Sequence, residues 1–159
     1  MASTVFPAVA AGKTSKFERL TSGTDWTVPT GVTYVNATLI GGGGGGGGCN
    51  TGSEHGFSGT GGQIVMTTVT TTPGASISYA IGAGGTGAAT GINRGGAGGT
   101  TTFTGATSAV GGNGGRTNGN SVGTVGLAGE ISPNYGTGAF GNQGGGAGGA
   151  GSIILEYWV

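Results

Sequence analysis

Hydrophobic positions in this chain alternate with polar ones over short stretches, and nowhere do they recur at helical spacing for even three turns. Ile77, Tyr79 and Ile81 alternate with Ser76, Ser78 and Ala80, the period-two signature of a strand with one covered face. Residues 63–71 before it are rich in β-branched side chains, and Thr72-Pro73-Gly74 supplies the turn between the two. An earlier stretch has the same form. Trp26 and Val28 alternate, Pro29-Thr30-Gly31 turns the chain, and Val35, Ala37 and Leu39 then share one face while Val32, Tyr34 and Ile40 punctuate the other. Both stretches read as hairpins. Residues 100–104 set Phe103 among threonines, and residues 152–159 place Ile153, Leu155, Tyr157 and Val159 on one face, which predicts a last strand that pairs centrally. The expected fold is all-β: a small antiparallel β-sandwich with glycine-rich loops and essentially no α-helix.

Between these strands the chain is largely glycine, which supplies 44 of 159 residues, against roughly 7% in ordinary proteins. It concentrates in residues 41–48, 82–99, 111–119 and 141–151. Ordering a Gly costs about 0.5–1 kcal/mol more than ordering an Ala. Such tracts therefore either stay mobile, as glycine linkers do, or order by satisfying their backbone groups against one another. A strict collagen triplet fails, because residues 100–104 and 122–132 break any register. Yet Gly95, Gly96, Gly98 and Gly99, and again Gly145, Gly146, Gly148, Gly149 and Gly151, leave two of every three positions without a Cβ. Left-handed extended helices of the polyproline-II type then approach backbone to backbone and bond laterally, by the reasoning that puts only Gly on the collagen axis. Ordered tracts packed as polyglycine-II helices are expected, within one chain or with the help of neighbouring subunits.

Charge narrows the functions open to the molecule. Charged residues make up 6% of the chain, five basic against five acidic, which gives no grip on nucleic acid. Lys13, Lys16 and Arg19 fall within residues 1–20, read as an N-terminal arm ahead of one glycine-rich β domain over 21–159. The first eleven residues lack a basic lead, so no signal peptide is expected, and a single cysteine, Cys49, excludes a disulfide scaffold.

Several motifs resemble chemistry without its context. Residues 82–87 fit G-x-G-x-x-G, but Ala88, Ala89 and Thr90 lead into more glycine with no acidic residue near position 100. Gly12-Lys13-Thr14 resembles the end of a phosphate loop whose leading Gly is replaced by Pro7. Cys49, Glu54 and His55 are zinc-ligand types, too few in one chain unless three copies of His55 meet on an axis, and His55 reads as a solvated loop residue. Arg94-Gly95-Gly96 and Gly115-Arg116 resemble single-strand RNA-binding segments, but two arginines are too few. One histidine and five dispersed carboxylates assemble no catalytic triad. A non-enzyme without metal or cofactor is expected.

The aromatics set in glycine-rich loops point elsewhere. Phe57, Tyr135 and Phe140 stand among Gly, Ser, Asn and Thr where no core periodicity claims them, and Asn93, Arg94, Arg116, Asn118, Asn134 and Asn142 supply polar neighbours. Aromatic anchors among small hydrogen-bonding residues have the composition of antibody binding loops. These nine residues are the candidates for contacting a receptor.

Three phrases in order carry a resemblance. They are residues 26–32 (WTVPTGV) leading to Leu39-Ile40 and eight glycines, Thr72-Pro73-Gly74 leading to residues 79–85 (YAIGAGG), and residues 151–158 (GSIILEYW). Together they resemble the glycine-rich domain found at the ends of bacteriophage tail fibres and in other phage virion proteins, over about residues 21–159. The chain is also similar to the receptor-binding tips of T-even-like phages, in which polyglycine-II helices form a lattice and distal loops touch the host. The resemblance implies a virion structural protein, made in the host cytoplasm and placed on a tail or fibre. Its partners would be other virion proteins and a host surface polysaccharide or outer-membrane protein, in a homo-oligomer for which a trimer is expected. Phe6, Lys13, Lys16, Phe17 and Arg19 would then dock the arm to the particle. Those adhesins carry a larger attachment region, so a separate subunit docked by its arm fits a chain this short. The alternative is a head decoration or minor structural protein that stabilises the particle without binding the host. Ice binding by a polyglycine-II face is a weaker third reading, since no sustained triplet is present.

Overall fold

The computed structural model describes residues 12–49, 55–91, 93–117 and 144–159. Among them there is no α-helix. The strands are β1 (Ser15–Leu20), β2 (Asp25–Thr27), β3 (Tyr34–Ile40), β4 (Ile64–Thr70), β5 (Ser76–Ala80), β6 (Thr102–Phe103) and β7 (Ser152–Trp158). They form a four-stranded sheet in the order β1-β7-β3-β4 and a three-stranded sheet in the order β2-β5-β6, with every pairing antiparallel.

The alternation read from the sequence decides the core. Val35, Ala37 and Leu39 of β3 and Ile153 and Leu155 of β7 are buried, and meet Trp26, Val28, Val32, Tyr79 and Phe103 from the other side. Trp26 anchors this core, its ring lying 6.1 Å from Phe103 and 5.6 Å from Tyr157. As expected, β7 is central, flanked by β1 and β3.

Two expectations are corrected. The Pro-Gly turns do not close hairpins: β2 pairs with β5, and β3 with β4 and β7. Each turn is a corner that carries the chain from one sheet to the other, with Gly31 and Gly74 in left-handed conformations at φ 80° and 79°. The two corners lie side by side, Val28 N donating to Ala75 O and Gly74 N to Val28 O, both at 2.9 Å. The second correction concerns the arm, whose boundary at residue 20 is not a structural one. Ser15–Leu20 is strand β1, in register with β7 from Ser15 opposite Trp158 to Leu20 opposite Ile153.

The glycine tracts are ordered and stack end-on against the sandwich. Tract 41–49 continues directly from β3 and is buried along its whole length. Its amides donate in a three-residue cycle to three different neighbours. Gly41, Gly44 and Gly47 bond to the carbonyls of Gln63, Thr60 and Phe57; Gly42, Gly45 and Gly48 to those of Gly99, Gly96 and Asn93; Gly43 and Gly46 to those of Gly149 and Gly146. Its carbonyls accept in turn from Gly112 and Gly115 and from Gly85 and Ala88. A three-residue cycle of lateral bonds is the geometry of threefold polyglycine-II helices. None of these tract glycines has a positive φ.

Tracts 55–63, 82–91, 93–100, 110–117 and 144–151 thus surround tract 41–49, and they also bond to one another around the ring. The register shows that tracts 41–49, 82–91 and 110–117 run away from the sheets while the other three return. Sequence dictates which tract is central. Only an unbroken glycine run lacks a side chain in every direction, and the outer tracts have one outward position in three, filled by Ala83, Thr86 and Ala89, by Arg94 and Ala97, or by Val110, Asn113 and Arg116. A Cβ on most of the inward glycines would run into backbone carbonyls, as Gly44 would into that of Asn113 and Gly98 into that of Gly42. All these ladders form within one chain, so lateral packing needs no second subunit.

Thr101 locks the bundle to the sandwich. Its fully buried hydroxyl donates to Ile40 O at 2.7 Å and accepts from Gly82 N at 3.0 Å, at the points where β3 and β5 become tracts.

Candidate functional site

The antiparallel cycle gathers one end of each of the six described tracts at the end of the bundle far from the sheets. Tract 41–49 ends there, tract 55–63 begins there, and the turn through Gly91 joins the third tract to the fourth. Residue 117 leaves from the same end and residue 144 returns to it.

Four receptor-contact candidates meet at this end. Phe57 N donates to Arg116 O at 2.8 Å, which sets these two residues side by side, and Phe57 is 43% exposed. Gly95 N donates to Gly115 O at 3.0 Å, so Arg94 and Arg116, each one residue further out, sit opposite one another on adjacent tracts. Both are exposed. Asn93 has a different position from the rest. Its backbone amide bonds to Gly91 O at 2.8 Å, its Nδ2 donates to Thr90 O at 3.2 Å and its carbonyl accepts from Gly48, so it holds the turn. Asn118, Asn134, Tyr135, Phe140 and Asn142 lie outside the described residues.

The sequence reading missed the rest of this face. Below Phe57 and Arg116, Thr60 and Asn113 form the next outward row, with Asn113 N donating to Thr60 Oγ1 at 2.7 Å, and Gln63 and Val110 form the one below, with Val110 N donating to Gln63 Oε1 at 3.2 Å. The third-position pattern could have found them, since each stands next to a glycine pair at three-residue spacing.

The sandwich end carries the docking candidates. Lys13 Nζ donates to Gly31 O at 3.2 Å and Arg19 Nη2 to Ser152 Oγ at 3.4 Å, which holds both against the sheet. Lys16 is exposed, Phe17 is 71% exposed, and Phe6 lies outside the described residues. Phe17 belongs to the outer face of the four-stranded sheet, where the pairing register also places Tyr34, Met66 and Trp158. Trp158 and Tyr34 pack at 5.5 Å and Met66 is exposed. Between the sheets, Glu18 Oε2 accepts from Trp26 Nε1 at 2.9 Å and from Tyr157 OH at 3.4 Å. Partial burial and then the Glu18 charge and hydrogen bond raise the Tyr157 phenol above its ordinary value.

Among the described residues no cluster of His, Cys, Asp and Glu is placed to hold a metal. His55 and Cys49 both lie at the far end, Cys49 buried and His55 exposed. Residues 82–87, which fit the dinucleotide spacing, are bundle backbone, and Gly82, Gly84, Gly85 and Gly87 pack against tracts 93–100, 144–151 and 41–49.

Comparison with known families bears on the whole of this architecture: the profile described as a glycine-rich domain matches residues 19–158. The chain belongs to the glycine-rich domain family. The match begins within β1 and ends with β7, so the glycine-rich domain includes both the sandwich and the bundle. A search of curated proteins returns no match.

Proposed function

We propose that this glycine-rich domain protein is a bacteriophage virion component, a tail fibre or tip subunit that meets the host surface with the far end of its bundle. The observation that carries the reading is the polarity of the molecule. Phe57, Arg94 and Arg116 gather at one end, on tracts held rigid by lateral bonds, while Lys16 and Phe17 are exposed at the other. A rigid scaffold that presents exposed side chains at its tip is how binding loops are positioned elsewhere. The outer sheet face with Phe17, Met66, Tyr34 and Trp158 suits attachment to other virion proteins. The host partner is a surface polysaccharide or an outer-membrane protein, and the binding activity is non-enzymatic.

Immunogold electron microscopy on particles of the producing phage tests the placement. Label at tail or fibre ends is the expected result; label spread over the head assigns the protein to capsid decoration. Adsorption assays test the end. Phe57→Ala with Arg116→Ala lowers host adsorption and leaves particle assembly intact, and unchanged adsorption refutes the assignment of this end.

A further inference from the structure

We infer that the far end of the bundle binds an acidic polysaccharide of the host envelope, a polymer of uronate type whose carboxylates are held by Arg94 and Arg116 and whose ring lies on Phe57. The inference rests on the host-binding reading above and names the chemistry of the ligand. Three observations carry it.

The first is charge placement. Among the described residues every carboxylate, Glu18, Asp25 and Glu156, belongs to a strand of the sandwich, and the bundle carries Arg94 and Arg116 without one. Glu18 bonds to Trp26 and Tyr157, Asp25 accepts from Thr24 and Ser78, and Glu156 accepts from Asn36, so each is used locally. Glu54 and Glu130 lie outside the described residues.

The second is the pairing of the two arginines. The bond from Gly95 N to Gly115 O puts them at one level on antiparallel neighbours, and among the described residues neither guanidinium has a hydrogen bond or ion pair. Like charges set opposite each other across paired strands destabilise the pair. Here the backbone ladder fixes their Cα atoms at one level, and an external anion between them relieves the repulsion while offering each planar fork a carboxylate to grip.

The third is Phe57, adjacent to Arg116 on the next tract and partly exposed. Thr60 and Gln63, three and six residues further along the same outward row, both reach across to tract 110–117, so the Phe57 side chain stands on the same seam. An aromatic face beside guanidinium groups accepts the apolar face of a sugar ring. A uronate carries its carboxylate on that ring, so one residue of the polymer engages Phe57 and the arginine pair together; a phosphate bridging two sugars is further from the ring face.

The test uses the whole protein and polygalacturonate as probe, with its methyl ester, neutral dextran and duplex DNA alongside, by titration calorimetry at low and moderate salt. Binding to polygalacturonate is expected, weakened by about tenfold or more on methyl esterification and by a similar factor in Arg94→Gln/Arg116→Gln, since bonds to charged groups are worth about that much. Phe57→Ala weakens it while Phe57→Tyr retains it; no variant lowers the melting temperature, because these side chains are exposed, and the double Gln variant holds or raises it as the arginine repulsion is removed. Equal affinity for the acid and its ester, or affinity for DNA equal to that for polygalacturonate, overturns the inference. Binding of the labelled protein to host cells separates the two levels. Cells bound equally by wild type and the double Gln variant overturn the acidic ligand and leave the host-binding reading standing, whereas absence of binding to any host cell removes both.

Discussion

Gly44→Ala places a methyl group in the middle of the central tract. The new Cβ would overlap the backbone carbonyl of Asn113, whereas a carbon and an oxygen in ordinary contact stand about 3.3–3.6 Å apart. Neither group is the movable end of a side chain, so tracts 41–49 and 110–117 must separate. The bonds that hold them there, Gly112 N to Gly42 O at 2.8 Å and Gly115 N to Gly45 O at 2.7 Å, lengthen together. Leaving a buried backbone group unsatisfied costs about 1–3 kcal/mol, and two bonds are at stake, about 2–6 kcal/mol in all. The opposing term is the lower entropy of the unfolded chain, about 0.4–1 kcal/mol in favour of Ala. The net loss is about 1–5.6 kcal/mol, a fall in melting temperature of roughly 2–22 °C for a domain of this size. Circular dichroism melts of Gly44→Ala beside Ala97→Ser, at an exposed outward position, give the comparison, and the control stays within about 0.5 kcal/mol of wild type. A linker has no carbonyl to meet, and there Ala would be neutral or slightly stabilising. An unchanged or raised melting temperature for Gly44→Ala therefore refutes the packed bundle.

Thr101→Val deletes the hydroxyl that joins Ile40 O to Gly82 N and is expected to cost about 1–3 kcal/mol in urea unfolding; no loss would mean that the bundle is not locked there. Phe103→Ala empties a fully buried site against Trp26, and the same assay should read a loss of about 3–5 kcal/mol. Glu18→Ala removes the acceptor of Trp26 Nε1 and Tyr157 OH, which quenches or shifts Trp26 fluorescence and lowers stability; an unaltered spectrum contradicts the contact. Tyr157 has its pKa raised by burial and by Glu18, so its folded form holds the proton longer than the unfolded chain does. That contribution is intact below the unfolded value near pH 10 and is lost as pH rises through the folded one. Tyr157→Phe should flatten the alkaline limb of the stability curve, and an identical limb in both proteins would count against the shift.

Strand positions were legible wherever one face is buried, because Val35, Leu39, Ile153 and Leu155 can satisfy their burial in one register only. Partners were less legible. Pro29-Thr30-Gly31 and Thr72-Pro73-Gly74 fit a hairpin as well as they fit a corner, and what decides is long-range pairing: β2 with β5 and β3 with β7. The arm was misread at Ser15–Leu20 because Lys16, Phe17 and Arg19 show little alternation on an edge strand whose inner face ends in Glu18 and Leu20. Ordered tracts followed from two glycines in three, and the end at which the candidates gather did not. That end depends on which tracts run outward and which return, and the sequence 82–99 conceals a reversal at Gly91, φ 114°. Phe57 and Arg116 were named from composition, while Thr60 and Asn113 in the adjoining row went unnoticed because small polar residues among glycines carry no signal until the threefold phase is known.

The bundle and the end it presents both require the glycine tracts to be bonded structure, which amide hydrogen exchange over residues 41–48 reads out residue by residue. Each amide there donates to a carbonyl on a neighbouring tract at 2.8 or 2.9 Å in a buried bundle, so these amides should exchange as slowly as those of Val35 and Leu39 in β3. Exchange of residues 41–48 at the rate of an unstructured glycine peptide, with β3 still protected, would contradict the account.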